Sequence, residues 1–147
     1  LRYAYIVKCV SVEKDADGRV TTVHCTYDPA TKSGQTGAEA RRIKGNIHWL
    51  CARTAMTAEV RLYDRLFSSP NPGAGDRDFL AELNPESKRV ITAFVEPSLA
   101  DSPADIRYQF ERHGYFVADR REHRPGAAVF NRAVTLRDTW GKSSTKG

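Results

Sequence analysis

Arginine and glutamine side chains stand beside aromatic ones at three places in this chain. The three places are Arg2–Tyr3, Arg107–Tyr108–Gln109, and Arg112 followed by Tyr115 and Phe116. Sheets that bind single-stranded RNA combine aromatic stacking surfaces with side chains that hydrogen-bond base edges. Arg and Gln can each make two such bonds to one base. The same pattern is equally typical of a strand with an aromatic core face and a charged solvent face, so both interpretations stay open.

No catalytic constellation accompanies these residues. The chain has no GxGxxG or GxxxxGK[ST] phosphate loop, no GxSxG and no HExxH. The nearest acid–base pair is Glu111 with His113, and such a pair is more typical of a surface contact than of a catalytic dyad. The sequence therefore favours a binding function over catalysis within this chain.

The cysteines do not indicate a metal site. Cys9, Cys25 and Cys51 are far apart in sequence, and the four histidines do not complete a zinc spacing. We therefore expect no bound metal and three reduced, mostly buried thiols.

Charge and composition narrow the class of protein. The 147 residues include 23 Lys and Arg against 18 Asp and Glu, a net charge of +5. A basic surplus favours a polyanionic partner, most often a nucleic acid. No apolar run approaches the roughly 18 residues of a membrane helix, and no signal peptide is evident. Because Leu1 is not an initiator Met, we interpret the start as a cut inside a longer chain.

The first third of the chain predicts a hairpin and one further strand. Residues 3–12 and 19–27 are rich in β-branched and aromatic types, and the DADG turn at 15–18 separates them. A polar loop is expected over 28–40. In the segment 41–52, Ile43, Ile47 and Trp49 share one parity, which predicts a strand with one buried face.

The rest of the chain predicts short strands with one short helix. Strands are expected at 58–67, 89–97, 106–119 and 128–138, and a Pro- and Gly-rich loop at 68–75. The segment 78–84 is the helix candidate, because Pro85 closes it. Strands at this spacing favour an all-β, mainly antiparallel barrel over βαβ units.

Several large side chains are predicted to be structural. Core positions are expected at Trp49, Leu62, Leu66, Phe110 and Trp140. Two neighbouring pairs are candidates for buried ion pairs or for contacts that hold two barrels together, namely Asp64–Arg65 and Arg137–Asp138.

Seven ordered motifs carry a family resemblance. They are KGNIHWL (44–50), VRLYDRLF (60–67), PNPGA (70–74), LNPES (83–87), EPSL (96–99), QFERHGYF (109–116) and FNRAVTLRDTW (130–140). In this order they resemble the C-terminal part of the anticodon-binding region of glutaminyl-tRNA synthetases, from Leu1 to about Lys142.

The resemblance implies a fold and an activity. The family's enzyme is a class I aminoacyl-tRNA synthetase that joins glutamine to tRNA(Gln), using ATP with Mg²⁺ in an N-terminal catalytic domain. This chain has no HIGH-like or KMSKS-like signature, so no catalytic residue and no cofactor is expected within it. The resemblance also implies that the C-terminal region forms ribosomal protein L25-like β-barrels. We expect the distal barrel over roughly 10–118, returning strands of the proximal barrel over 119–142, and a disordered tail at 143–147.

The resemblance also implies RNA-binding residues. Arg2 matches an Arg at the first anticodon nucleotide, Gln109 matches a Gln at the middle anticodon base, and Arg112 matches an Arg close by. A regular strand would place Gln109 and Arg112 on opposite faces, because they are three residues apart. A bend or bulge near Gly114 would be needed to bring both to one surface.

The implied partner is the tRNA(Gln) anticodon loop, in a cytoplasmic, monomeric protein without membrane contact. Three alternatives stay open. They are the same region of an archaeal or eukaryotic glutamyl-tRNA synthetase, a stand-alone barrel that binds ribosomal RNA, and a protein-interaction barrel. The isolated chain is expected to bind tRNA weakly at best and to catalyse nothing.

Overall fold

A computed structural model of the chain describes residues 1–34, 43 and 45–136. The chain divides into two compact units, Leu1–Trp49 and Leu50–Gly147. The expected disordered tail at 143–147 lies outside the described residues, as do Arg137, Asp138 and Trp140. The division into a distal barrel and returning strands stays a prediction.

The first unit contains a two-stranded antiparallel hairpin. Strand β1 spans Ile6–Lys14 and strand β2 spans Val20–Asp28. At the turn, the Asp15 carboxylate accepts from the backbone N–H groups of Asp17 and Arg19, at 3.0 and 2.9 Å. Gly18 adopts a φ of 78°, which glycine tolerates without strain. The hairpin predicted around the DADG turn is thereby confirmed.

The strand predicted over 41–52 is wrong for the described part of that segment. Residues 45–50 form no regular structure, and Gly45 has a φ of 96°, which a strand does not permit. Ile47 and Trp49 are both exposed rather than core. Their polar atoms instead hold the turn at the start of the chain, as described below.

The second unit is built on one five-stranded sheet in the order β4-β3-β7-β6-β5. Its strands are β3 (Met56–Tyr63), β4 (Lys88–Val95), β5 (Arg107–Phe110), β6 (Gly114–Ala118) and β7 (Ala128–Val134). Every pairing is antiparallel except that of β3 with β7, which is parallel. The last strand therefore lies between β3 and β6, at the centre of the sheet.

All five strands contribute to one hydrophobic core. Its buried members are Ala58, Val60, Val95, Leu99, Phe116, Ala118, Ala128 and Phe130. Tyr108 and Phe110 of β5 pack against the cluster, and the Phe130 side chain is 0% exposed. The sheet has edges at β4 and β5, and its five strands enclose one shared core, which makes the unit barrel-like. The all-β prediction is confirmed.

The structure differs from the predicted elements at the end of β3 and in the helix candidate. Strand β3 ends at Tyr63, so Leu66 is exposed rather than core, and Asp64 and Arg65 are exposed as well. The helix candidate at 78–84 is a single 3₁₀ turn, Phe79–Glu82, capped by the Asp78 carboxylate. Two other 3₁₀ turns, Pro29–Thr31 and Pro97–Leu99, complete the helical segments among the described residues.

The segment 106–119 is two strands rather than the predicted one. β5 and β6 form a hairpin in which Phe110 pairs with Gly114. The reversal depends on positive φ at Arg112, which an arginine in the sequence does not signal.

The thiols also differ from expectation. Cys9, Cys25 and Cys51 are free, and all three are exposed rather than mostly buried.

Candidate nucleic-acid interface

The hairpin of β5 and β6 separates its side chains into two faces. Tyr108 and Phe110 point to the core, where the Phe110 ring lies 4.7 Å from that of Phe116 and 5.1 Å from that of Phe130, centroid to centroid. The alternation of a strand then places Arg107 and Gln109 on the other face, and both are exposed. Packing of the aromatic rings thus fixes the direction of the polar ones.

Gln109 lies directly opposite Tyr115 across this hairpin. The Tyr115 side chain is 43% exposed. Within the part of the chain that the structure describes, the Gln109 amide makes no side-chain hydrogen bond and Arg107 makes no ion pair. We call Arg107, Gln109 and Tyr115 the hairpin face. It combines a cation, an amide that both donates and accepts, and an aromatic ring.

Arg112 lies at the tip of the same hairpin, in the three-residue turn between β5 and β6. Its φ is 65°, and the next residue, His113, donates its N–H to the Phe110 carbonyl at 2.9 Å. Gly114 follows with a φ of 139°, and a Cβ there would lie 2.5 Å from the Val134 carbonyl oxygen. The bend expected near Gly114 is therefore a full chain reversal, and Arg112 is on the turn rather than on a strand face.

Arg2 belongs to the first unit, where its backbone is held on both sides. Its N–H donates to the Ile47 carbonyl at 3.0 Å, and its carbonyl accepts from the Trp49 indole N–H at 3.0 Å. The Arg2 guanidinium lies 4.8 Å from the centroid of the Tyr3 ring and donates to the Tyr3 hydroxyl. Tyr3 has a φ of 55° and is 77% exposed.

The sequence pattern placed Tyr3 and Tyr115 beside arginines but did not predict either as a site residue. Tyr115 joins Gln109 only through the register of the hairpin, which no local pattern reveals. Tyr3 takes part because Arg2 stacks on it, a cation–π contact that desolvation strengthens. Arg107 and Gln109 are two residues apart on a predicted strand, so their shared face was the sequence feature that linked Arg107 to Gln109.

An ion network centred on the buried Arg61 of β3 reaches the end of β6. The nearly buried Arg61 guanidinium of β3 donates to Glu122, to Glu59 at 2.6 Å and to Asp119 at 3.4 Å. Hydrogen bonds to Glu122 and then Glu59 raise the pKa of Arg61. Asp119, which directly follows β6, also accepts from the Asn131 amide at 2.7 Å.

The Asp119 carboxylate is stabilised in its charged form. Hydrogen bonds from the Asn131 side chain and from the backbone N–H groups of Arg121 and Glu122 lower its pKa from 3.8 to about 2, and the Arg61 charge adds to this. The backbone bonds fix the turn that leads from β6 towards β7. The network thereby joins β3, the end of β6 and β7.

Across 1–34, 43 and 45–136, no group of three or more His, Cys, Asp or Glu side chains is arranged to hold a metal ion. None of the helical turns in these ranges has the length and apolar character needed to cross a membrane.

Comparison with known families defines the class of protein. The family model of the anticodon-binding domain of class I tRNA synthetases for glutamate and glutamine (E and Q) matches residues 46–119. The chain therefore belongs to this family. The matched residues include the hairpin face and Arg112, whereas Arg2 lies outside them.

Individual relatives narrow the similarity to the glutamine enzymes. The glutamine–tRNA ligase of Cupriavidus metallidurans is 60% identical over 142 residues, which are 97% of this chain and 24% of that protein. That of Nitrosomonas europaea is 56% identical over 142 residues, 97% of this chain and 26% of the relative. That of Yersinia pestis is 56% identical over 146 residues, which are 99% of this chain and 26% of that protein. The chain thus spans about a quarter of the length of these relatives.

Proposed function

We propose that this chain is the anticodon-reading part of a cytoplasmic, monomeric glutamine–tRNA ligase. The whole enzyme would join glutamine to tRNA(Gln), with ATP and Mg²⁺ bound in a part of the protein outside this chain. The observation that carries the proposal is the hairpin face. An exposed amide without a partner among the described residues stands opposite an exposed aromatic ring, inside the segment that the synthetase family model matches.

The proposed mechanism is recognition of unstacked bases. The Gln109 amide donates to and accepts from the Watson–Crick edge of the middle anticodon base, a pairing suited to uracil. Tyr115, directly across the hairpin, offers its ring for stacking on a base, and Arg107 on the same face contacts a phosphate. A good paired contact is worth about 1–3 kcal/mol of discrimination.

Arg2 and Arg112 complete the proposed set of contacts. The Arg2 guanidinium, oriented in the free protein by the Tyr3 ring and hydroxyl, bonds the first anticodon nucleotide. Arg112 bonds the loop from the tip of the hairpin. Both contacts rest on charge-assisted hydrogen bonds, which are stronger than neutral ones.

Replacing Gln109 tests the proposal. In the full-length protein that carries this chain, Gln109→Ala should lower kcat/KM for tRNA(Gln) aminoacylation about tenfold or more, because the lost base contact weakens binding of the transition state. Steady-state aminoacylation with varied tRNA measures the change.

A matched control separates base recognition from general damage. Thr92 is exposed on β4, the edge strand opposite β5, so Thr92→Ala should leave kcat/KM within about twofold. An unchanged kcat/KM for Gln109→Ala would refute the assignment of Gln109, and an equal loss in both variants would attribute the effect to stability.

The glutamate enzyme is the second candidate, because the matching family model covers both amino acids. Aminoacylation with glutamine and with glutamate, each at saturating concentration, separates the two. Charging of tRNA with glutamate alone would replace the glutamine assignment and leave the RNA-reading role of the hairpin face intact.

A further inference from the structure

Two of the three cysteines face each other across the first hairpin. Cys9 of β1 and Cys25 of β2 are directly opposed in the antiparallel register. Both are free and exposed. Directly opposed residues point to the same side of a sheet, so the two thiols are neighbours.

The spacing of an antiparallel pair suits a disulfide. Opposed Cα atoms are about 4.5–5.5 Å apart, depending on the type of pair, and disulfides span about 4.4–6.8 Å between Cα atoms. The register shifts directly after Cys9, where Val10 has no opposed partner. Such a bulge bends its strand and gives the backbone room for small adjustments.

We propose that Cys9 and Cys25 form an oxidative modification site that closes to a cross-strand disulfide. The oxidant is a low-molecular-weight disulfide such as glutathione disulfide. One cysteine thiolate attacks it, the S–S bond breaks, and one glutathione thiolate leaves. The second cysteine thiolate attacks the protein sulfur of the mixed disulfide and expels the other glutathione. Two protein thiols are oxidised, one glutathione disulfide is reduced to two thiols, and the two protons pass to the leaving groups or solvent.

Cys51 provides an internal comparison. It is exposed like the other two. However, Cys51 lies in no strand and belongs to the other unit, so no residue stands opposite it in a strand pairing. Glutathione on Cys51 therefore has no opposed thiol to displace it. The same oxidant should leave a persistent mixed disulfide there and a closed disulfide in the hairpin.

Closure should rigidify the hairpin. Most residues of β1 and β2 are exposed on both faces, and two-stranded sheets of this kind are marginally stable in water. A covalent link between the strands removes open conformations. Amide hydrogen exchange in Ile6–Lys14 and Val20–Asp28 should slow about tenfold on oxidation.

Peptide mapping of the full-length protein tests the site. The protein is incubated with glutathione disulfide, remaining thiols are alkylated without reduction, and the digest is analysed by mass spectrometry. A linked Cys9–Cys25 peptide pair, about 2 Da lighter than the sum of its parts, should be the main product at these positions. Mixed disulfide with glutathione as the main product at Cys9 or Cys25, or a link from either to Cys51, would overturn the proposal.

Two variants test whether formation of the Cys9–Cys25 link depends on the register of β1 and β2. Cys51→Ser should form the Cys9–Cys25 link unchanged. The double variant Cys25→Ser with Thr26→Cys moves the thiol opposite Lys8, onto the other face of the hairpin, because a shift of one residue reverses the face. It should form the link with Cys9 at least about tenfold less, since the geometry no longer fits. Equal yield in the moved variant would contradict the role of the pairing.

Discussion

Single residues with positive φ build the turns on which the proposed contacts depend. Tyr3 and Arg112 are two of the four non-glycine residues with positive φ among those that the structure describes. The left-handed region costs an L-residue about 1–2 kcal/mol. Such strain persists only where neighbouring contacts hold it. Around Arg112, those contacts include the His113 backbone bond and the close approach of Gly114 to β7.

Gly114 should be the least replaceable glycine of the sheet. Gly114→Ala would place a Cβ 2.5 Å from the Val134 carbonyl oxygen at a φ of 139°. Backbone must then move, and we expect a loss of about 3 kcal/mol or more in the free energy of unfolding. Urea unfolding followed by circular dichroism measures it.

Gly126 is the matched control for that measurement. It also has a positive φ, 78°, but a Cβ there meets nothing within 4 Å. Gly126→Ala should therefore cost only the backbone term, about 1 kcal/mol. Equal losses in the two variants would show that contact with β7 adds nothing.

Among single residues, the sequence predicted part of the candidate site. Gln109 and Arg112 were named by their match to a family motif, and Gly114 signalled a bend. The turn itself could not be predicted, because Arg112 gives no sign of positive φ. Tyr115 could not be paired with Gln109 until the reversal between them was known. Whether these residues contact RNA stays a prediction.

Among the elements, the turn after β6 is the best anchored. Asp119 binds the backbone N–H groups of the turn, the amide of Asn131 on β7, and Arg61 on β3. Arg61 in turn reaches Glu59 and Glu122. A single carboxylate thus joins β3, β7 and the turn after β6.

This anchor should make stability depend on acid pH. Folding lowers the pKa of Asp119 from 3.8 to about 2, so its contribution is complete above about pH 4 and is lost as pH falls towards 2. Discounted for partial solvent screening, the contribution is about 1–2 kcal/mol. Asp119→Asn should lower the free energy of urea unfolding by this amount at pH 7, and the difference should shrink steadily below pH 4 and disappear as pH falls through about 2.

Asp101→Asn is the control for the dependence of stability on acid pH. Asp101 is exposed and its carboxylate makes no hydrogen bond to another residue within the described ranges. Its replacement should leave stability unchanged to within about 0.5 kcal/mol at every pH. A constant deficit for Asp119→Asn down to pH 2 would mean that its charge is not what stabilises the turn.

Elements were predictable where local chemistry decides them. The β1–β2 hairpin followed from the DADG turn. There the Asp15 carboxylate binds the backbone N–H groups and Gly18 takes the positive φ. The segment 41–52 has strand-like parity, yet Gly45 breaks it and Ile47 and Trp49 bind the Arg2 backbone instead. Arg61 alternates with apolar neighbours like any solvent-facing residue, so its burial among carboxylates could not be foreseen.

For the whole molecule, the surplus of positive charge predicts a salt-dependent interaction. If the basic residues contact phosphates, the logarithm of tRNA affinity should fall linearly and steeply with the logarithm of salt concentration. Arg107→Ala should reduce that slope by about one, whereas Gln109→Ala should weaken binding with the slope unchanged. Filter binding of the full-length protein over a salt series measures both.

The two slopes also decide between partners. A nearly flat dependence in the unmodified protein would favour a protein-interaction barrel over an RNA-binding one. An unchanged slope for Arg107→Ala would remove Arg107 from the phosphate contacts without affecting Gln109. The all-β class and the family were predictable at this scale, because strand spacing and ordered motifs are spread along the whole chain.

The central position of β7 has a consequence for biosynthesis. This strand is the last of the five in sequence, yet it inserts between β3 and β6 and supplies Phe130, which is fully enclosed. A nascent chain that has emerged only as far as Ala118 carries two unpaired sheet edges and an open core. Contacts between β3 and β7 join residues about 70 positions apart, so high contact order should make closure the slow step of folding. Until the ribosome has released β7, the unit should remain a substrate for chaperones rather than a barrel.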